Sequence, residues 1–213
     1  MFTRILYGGR ISLWVGFISV GIAVGVGVPL GVISAYAGKW VDVIIQRVVD
    51  AMFAFPTIIL ALTIISVLGP GIFQVTIAIG IVSIPRMARV SRAATLGVVA
   101  MPYFEATTCM GATVPRAMFR HILPNILAPL IVLGTAGFGG AILSEAGLSF
   151  LGLGTPPPQP SWGTMLSDGS QLMRVAPHVG IFPGIAISLA VFGFNLLGDS
   201  LRDILDPRLR GSQ

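Results

Sequence analysis

The chain has 213 residues, of which 54% are hydrophobic and only 10% are charged, and its mean hydropathy is +0.92. Soluble domains carry about 25% charged residues, so this composition excludes an ordinary soluble protein and predicts an integral membrane protein. The net charge of +5 does not indicate nucleic-acid binding, because the basic residues lie at the ends of apolar segments and form no patch with stacking aromatics.

Five apolar stretches are long enough to cross a bilayer, whose hydrocarbon core requires about 20 helical residues. They are residues 12–37, 43–68, 72–92, 122–151 and 178–198. The third stretch is the weakest because Pro85 and Arg86 interrupt it. We expect the guanidinium groups of Arg86, Arg89 and Arg92 to extend to the lipid headgroups. The stretches together predict a single transmembrane domain over residues 1–213.

Two GxxxG spacings occur in the first stretch, at Gly21/Gly25 and at Gly27/Gly31. Small residues allow helices to approach closely in lipid, where there is no hydrophobic drive for helices to associate. The spacings favour a packed helical bundle, and a lipid-facing helix with incidental glycines is the alternative.

Asp50 and Glu145 are polar residues inside the predicted spans. Arg47 and Asp50 are spaced i, i+3, which predicts an ion pair near one membrane surface. This pair would be either a gate or subunit contact or a local pair that lowers the insertion cost. Glu145 lies in the run ILSEAGLSFLGLG. Its side chain either lines a translocation path or forms hydrogen bonds between helices.

The longest polar interruption, residues 101–124, predicts two short helices joined by a turn. Pro102 suits the first turn of a helix, and Glu105 in that turn would face the positive end of the helix dipole. Gly111 can adopt the left-handed conformation that ends a helix. Pro124 is expected to end the motif.

This hairpin also carries a family resemblance. Glu105-Ala106 is followed by Gly111 six residues after the glutamate and then by Leu123-Pro124. The pattern resembles the EAA loop of ABC-importer permeases. The sequence HILPN resembles the corresponding sequence in the dipeptide/oligopeptide/nickel branch of that family. Two positions depart from the general pattern, with Thr107 in place of Ala and His121 in place of Ile. In the family this loop inserts into a groove on the ATPase subunit. The resemblance therefore implies ATPase coupling by Glu105, Ala106, Gly111, Arg116, Arg120, His121, Leu123 and Pro124.

The resemblance implies an all-α integral membrane protein, a type I ABC-importer permease-like bundle of about five transmembrane helices with a cytoplasmic coupling-helix hairpin. It also implies partners: a second permease subunit in a heterodimer, two ATPase subunits that hold ATP and Mg, and an extracytoplasmic solute-binding protein. Family members usually have a further N-terminal helix before the stretch similar to RILYGGRISLWVG, so we expect this chain to lack the first family helix.

The distribution of Lys and Arg predicts the orientation. With the coupling loop in the cytoplasm, the inner side would hold Lys39, Arg47, Arg86, Arg89, Arg92, Arg116, Arg120, Arg202, Arg208 and Arg210, and the outer side would hold Arg4, Arg10 and Arg174. This predicts a multi-pass protein of a bacterial or archaeal cytoplasmic (inner) membrane, with its N-terminus outside and a cytoplasmic tail over residues 199–213. The proline-rich loop 154–177 would lie outside, as a contact for the binding protein or as a rigid connector.

The cargo implied by the resemblance is typically a di- or oligopeptide, with nickel, glutathione and some sugars as alternatives. Peptide is favoured over nickel because a nickel path would be expected to show more histidine or carboxylate ligands. The single lysine, Lys39, is in no GxxxxGK[ST] sequence, so the chain is not itself a P-loop ATPase. We expect no catalytic site, metal site or cofactor in this chain.

Two functions of other classes remain as alternatives. An ATP-independent channel or secondary transporter would not need a docking hairpin, and no internal repeat typical of transporters is evident. An intramembrane aspartyl protease would need two facing aspartates, and the sequences around Asp50 and Asp199 offer no catalytic setting.

Overall fold

The computed structural model describes residues 1–156 and 158–205. Its helices are α1 (Phe2–Ala37), α2 (Lys39–Phe53), α3 (Thr57–Leu68), α4 (Ile72–Val99), α5 (Pro102–Cys109), α6 (Val114–Arg116), α7 (Leu123–Phe150), α8 (Trp162–Gln171) and α9 (His178–Leu205). A π-helical turn, Ala117–Ile122, joins α6 to α7. The described residues contain no β-strand, and the predicted all-α class is confirmed.

Four helices are long and apolar enough to cross a membrane: α1, α4, the continuous helix Val114–Phe150, and α9. The helices α2 and α3 together would form a fifth span, but they meet at an angle of 93°. The stretch 43–68 is therefore not one straight helix. Pro56 lies at the break, with an extended backbone. A proline lacks an N–H group and disfavours the helical conformation of the residue before it, so the helix stops there.

The long helices extend beyond the predicted stretches. The first begins at Phe2, α4 continues to Val99, and α9 continues to Leu205, which places the first part of the predicted tail 199–213 inside a helix. The rest of that tail, including Arg208 and Arg210, lies outside the described residues.

The bundle is built around the pair α1 and α4, which run in the same direction. Ser19 of α1 donates a hydrogen bond to the carbonyl oxygen of Thr76 (2.9 Å), and Ser91 of α4 donates one to the carbonyl oxygen of Val28 (3.0 Å). Because the partner's number increases with the residue's own number, the two helices are parallel. The α7 helix packs against both helices and runs in the opposite direction to α1.

One of the two GxxxG spacings forms a close helix contact. A Cβ atom on Gly27 would lie 2.8 Å from Cβ of Met87, and one on Gly31 would overlap the carbonyl oxygen of Ala88. Gly21 and Gly25 have no such neighbour within 4 Å. Six residues of α-helix rotate the side chain by about 240°, so the two spacings face different sides of α1.

The two ends of the bundle differ. The hairpin end carries α5 and α6 together with the C-terminal ends of α1, α4 and α9. The opposite end carries α8, so the predicted loop 154–177 contains a helix. That helix begins with a capping box between Ser161 and Thr164. The indole N–H of Trp162 donates to the carbonyl oxygen of Ile5 (2.9 Å), and its ring lies against Gly9. This contact ties α8 to the start of α1.

Candidate functional site

The hairpin between α4 and α7 is anchored by Phe104, a buried side chain of α5. The Phe104 ring is 3% exposed and lies edge-on to Tyr36 of α1, with 6.3 Å between the ring centroids. It also belongs to the apolar core of the hairpin end, where Ile122 and Ile126 are fully buried. The hairpin is therefore fixed to the bundle by its apolar face, and its other face remains free.

The turn that closes α5 is a Schellman motif. Gly111 has a φ of 78°, in the left-handed region. Its N–H donates to the carbonyl oxygen of Thr108 (3.0 Å), and the N–H of Ala112 donates to the carbonyl oxygen of Thr107 (3.3 Å). The predicted left-handed conformation of Gly111 is confirmed, as is the position of Pro102 at the start of the helix.

The free face of the hairpin combines large apolar side chains with positive charge. Met110 is 80% exposed and Phe119 is 73% exposed. A cleft of about 320 Å³ lies between the end of α5 and the π-helical turn, and it is lined by Thr107, Met110, Gly111, Ala112, Arg116, Arg120 and His121. The structure thus brings four of the predicted coupling residues, Gly111, Arg116, Arg120 and His121, to one cleft. Glu105 and Ala106 are exposed on α5 beside it.

Pro124 does not end the motif, and this prediction is wrong. The helix continues without interruption from Val114 to Phe150, with Leu123 half-buried and Pro124 exposed. A proline removes one helical backbone donor. The chain accommodates it by widening into the π-helical turn just before it. The side-chain amide of Asn125 donates to the carbonyl oxygen of His121 (2.7 Å).

The expected ion pair between Arg47 and Asp50 is also wrong. Oδ1 of Asp50 instead accepts a hydrogen bond from Nη2 of Arg89 on α4 (2.6 Å), and the Arg89 guanidinium carbon lies 4.3 Å from the centre of the Phe53 ring. The packing of α2 against α4 explains this choice of partner. The α2 helix lies beside α4, so the arginines of α4 reach carboxylates that are distant in sequence.

Asp42 was missed by reasoning from the sequence. It accepts two hydrogen bonds from Arg92, one from Nε (2.6 Å) and one from Nη2 (2.5 Å), and a third from the hydroxyl of Ser34. Arg89 and Arg92 therefore bind the carboxylates of α2. The sequence contained a signal for these two ion pairs, namely the opposite charges of the two segments. The two acids of α2 lie on one side of their helix, and the two arginines of α4 lie on one side of theirs.

Glu145 is buried in the contact between α1 and α7, with 1% of its surface exposed. Its Oε2 accepts a hydrogen bond from Ser12 of α1 (2.8 Å), and its Oε1 accepts one from Ser149 (2.7 Å). Among the described residues, no ion pair involves Glu145. Of the two roles considered, this geometry supports hydrogen bonding between helices.

A groove runs along the bundle over α3, α4, α7 and α9, and its middle part also touches α1 and the end of α2. It consists of three adjacent cavities, which we call the central groove. The first, toward the α8 end, has a volume of about 240 Å³ and reaches Leu151. The second, also about 240 Å³, shares Thr57, Ser83 and Ser144 with it. The third, about 760 Å³, shares Arg86, Leu133 and Ala136 with the second and reaches Leu205 at the hairpin end.

The comparisons with known proteins identify the family. Residues 27–211 match the family model described as "Binding-protein-dependent transport system inner membrane component". The chain belongs to this family. The resemblance carried by the hairpin is thereby confirmed, and the chain is a multi-pass permease of an ABC importer.

The permease resembles curated relatives along almost its whole length. It is 48% identical over 210 residues to the dipeptide transport system permease protein DppC of Alkalihalophilus pseudofirmus, covering 99% of this chain and 69% of that relative. It is 46% identical over 210 residues to the glutathione transport system permease protein GsiD of Pectobacterium atrosepticum, covering 99% of this chain and 70% of that relative.

Solved structures support the same fold. The permease superimposes on a chain of an inward-facing MetNI methionine ABC transporter with a TM-score of 0.79 at 18% identity, covering 97% of this chain and 98% of that one. For an amino acid ABC transporter crystallised with histidines the TM-score is 0.68 at 19% identity, covering 98% of this chain and 95% of that one. At this identity the likeness concerns the fold alone.

Proposed function

We propose that this permease forms one half of the translocation path of an ATP-driven importer of short peptides. The observation that carries the proposal is its similarity, over 99% of its length, to permeases named for dipeptide and for glutathione transport. Both cargoes are short peptides, so the shared chemistry is a small peptide with a free carboxylate. Nickel is not the favoured cargo, because both of these relatives are named for peptide transport.

The central groove supports the proposed heterodimer. The groove is a set of open cavities along one side of the bundle. A second permease subunit facing this side would close it into a path across the membrane. Two ATPase subunits would bind ATP and Mg, and a solute-binding protein would deliver the cargo at the opposite end.

The orientation in this proposal places the hairpin end in the cytoplasm. Arg89, Arg92, Arg116, Arg120 and Arg202 lie toward that end, and Arg4, Arg10 and Arg174 lie toward the α8 end. An excess of arginine and lysine on the cytoplasmic side is the usual topology signal. The N-terminus of the chain would then be outside and its C-terminus inside the cytoplasmic membrane.

The position of the hairpin in the chain suggests how ATPase movement reaches the groove. The hairpin directly connects α4 to α7, and both helices line the central groove. The helix Val114–Phe150 is continuous from the hairpin to the α8 end. A displacement of the hairpin by an ATPase subunit would therefore move two walls of the groove together. The catalysis of ATP hydrolysis would belong to the ATPase subunits.

Transport by the reconstituted complex tests the proposal. The permease, its partner permease and the ATPase subunits would be placed in proteoliposomes, with ATP on the hairpin side and the binding protein and labelled peptide on the other. We expect uptake of a dipeptide or of glutathione that requires ATP, and no uptake with a non-hydrolysable ATP analogue. Peptide uptake that continues without ATP would instead indicate a channel or secondary transporter. Uptake of nickel but of no peptide would contradict the proposed cargo.

A further inference from the structure

Arg86 carries a charge deep in a membrane-spanning helix. It lies 14 residues after Ile72, the first residue of α4, and therefore about 21 Å along the axis at 1.5 Å per residue. The hydrocarbon core of a bilayer is about 30 Å thick. Arg86 also lies across a shared cavity from Leu133 and Ala136, near the middle of α7. A charged residue at such a depth is costly unless it meets a partner or water, and in membrane proteins it commonly marks a substrate path.

Arg86 differs from the next two arginines of the same helix. Arg89 is paired with Asp50 and Arg92 with Asp42. Arg86 is exposed, and it makes no hydrogen bond or ion pair with any residue of the described chain. The charges of Arg89 and Arg92 are accounted for by the attachment of α2 to α4. The charge of Arg86 is not needed for any such contact.

The surroundings of Arg86 are those of a ligand cleft. It lines both the second and the third cavity of the central groove, at the point where the two meet. The second cavity also has hydroxyl groups from Thr57, Ser83 and Ser144. The third has a volume of about 760 Å³, within the range of roughly 300–1,000 Å³ typical of small-molecule sites. Its other charged residues are Asp199 and Arg202, so the cavity has an excess of positive charge.

We propose that Arg86 is a specificity-determining residue that binds the carboxylate of the cargo as it crosses the central groove. The inference rests on the proposed function, since it takes the cargo to be a short peptide. A peptide α-carboxyl group has a pKa of about 3.3–3.7 and is ionised at neutral pH. The planar guanidinium group offers two parallel N–H donors to a carboxylate, which gives both affinity and geometric selectivity.

The experiment compares Arg86→Gln and Arg86→Lys with the unmodified permease in the reconstituted complex. The cargo is a labelled dipeptide with a free C-terminal carboxylate, or the same dipeptide as its C-terminal amide. We expect Arg86→Gln to lower uptake of the free acid about tenfold or more, and to change uptake of the amide less than about twofold. Arg86→Lys keeps the positive charge but not the two parallel donors, so it should lower uptake of the acid by less than Arg86→Gln does. For each peptide, uptake by the variant is divided by uptake by the unmodified permease, with the same binding protein delivering the peptide. Any preference of the binding protein for the acid or the amide therefore cancels.

Arg47→Gln is the matched control, because Arg47 is exposed on α2 and does not line the central groove. It should leave uptake of both peptides unchanged. All variants are compared at equal amounts of monodisperse assembled complex, so that a folding defect is not mistaken for a binding defect.

The outcomes separate this inference from the proposed function. If the unmodified complex imports the free dipeptide and Arg86→Gln lowers uptake of acid and amide equally, the carboxylate role is wrong and peptide import stands. If the effect of Arg86→Gln disappears in vesicles of zwitterionic phosphatidylcholine, which lack net-anionic lipids, the group that Arg86 binds is an anionic lipid headgroup and the inference is overturned. If the unmodified complex imports no peptide at all, the proposed function fails, and the inference fails with it.

Discussion

Glu145 illustrates how a single residue changes its interpretation once its neighbours are known. A carboxylate in an apolar run is compatible with a transport path and with a helix contact. In the structure both carboxylate oxygens accept hydrogen bonds from serine hydroxyls, and one of these serines, Ser12, is 133 residues away in the sequence. Neither Glu145 nor Ser12 lines any cavity of the central groove. The residue therefore joins α1 to α7.

Replacing Glu145 by Leu should destabilise the fold. The hydroxyls of Ser12 and Ser149 would lose their acceptor in a buried helix contact, and an unsatisfied buried donor costs about 1–3 kcal/mol. Glu145→Gln retains one carbonyl acceptor and should lose less stability. Unfolding of the purified permease by denaturant in mixed micelles measures both. Equal stability of the Leu variant and the unmodified permease would contradict a role in joining helices.

Gly31 is a second residue whose role depends on a neighbouring helix. Gly31→Val should lower the free energy of unfolding by about 1–3 kcal/mol, as is typical of overpacked cores. The new side chain would collide with Ala88 and Ser91 of α4. Gly25→Val on the same helix is the control, because a Cβ atom there meets nothing within 4 Å. The same unfolding measurement is used, and similar losses in both variants would show that helix propensity dominates.

At the scale of elements, the hairpin combines a fixed face with a free one. Phe104 fastens α5 to the bundle, whereas Met110, Phe119 and the arginines beside them are exposed. Exposed apolar side chains of this size are typical of protein contact sites. The Schellman turn at Gly111 sets the angle between α5 and the helix that follows, and so determines the shape of the free face.

Gly111→Val should uncouple transport from ATP hydrolysis while the permease remains folded and inserted. A β-branched residue strongly disfavours a φ of 78°, so the turn would be remodelled, while the apolar anchor of α5 stays in place. Gly111→Asn is the control, because Asn tolerates the left-handed conformation. ATP-driven uptake and ATPase activity are measured together in proteoliposomes. Normal uptake by the Val variant would show that the turn geometry is not needed for coupling.

At the scale of the whole molecule, the parallel pair α1 and α4 forms the centre of the bundle, and α7 and α9 extend it on one side. The resulting groove is open, and the positive charges are concentrated toward the hairpin end. The open groove suits the proposed pairing with another permease, and the charge distribution suits the proposed orientation. The charge distribution also predicts a membrane orientation, and this orientation can be measured on the permease without a partner permease.

Cys109 provides that measurement, because it is exposed on the hairpin. A membrane-impermeant thiol reagent should label it in inside-out vesicles and not in right-side-out vesicles. Labelling should decrease when the ATPase subunits are bound, since they would cover the hairpin. In a Cys109→Ser background, Arg174→Cys at the α8 end should show the opposite pattern. Labelling of Cys109 in right-side-out vesicles would overturn the proposed orientation.

The sequence by itself determined the features that depend on local physics. Apolar length predicted the four long spanning helices, a glycine at the end of α5 predicted the left-handed turn, and Pro102 predicted the start of that helix. The hairpin pattern was also sufficient to indicate the family. These features depend on residues that are close in the chain, so the sequence contains all the partners that decide them.

Only the tertiary structure decided which distant groups meet. Asp50 binds Arg89 and not the nearby Arg47, because the crossing of α2 and α4 brings the more distant arginine closer. Only one of two identical GxxxG spacings meets α4, because helix rotation turns the other away from it. Arg86 has no partner in the described chain for the same reason: the crossing that pairs Arg89 and Arg92 with α2 leaves Arg86 facing the central groove. Charge pairing and burial depend on how helices pack, and this packing is determined by contacts across the whole bundle.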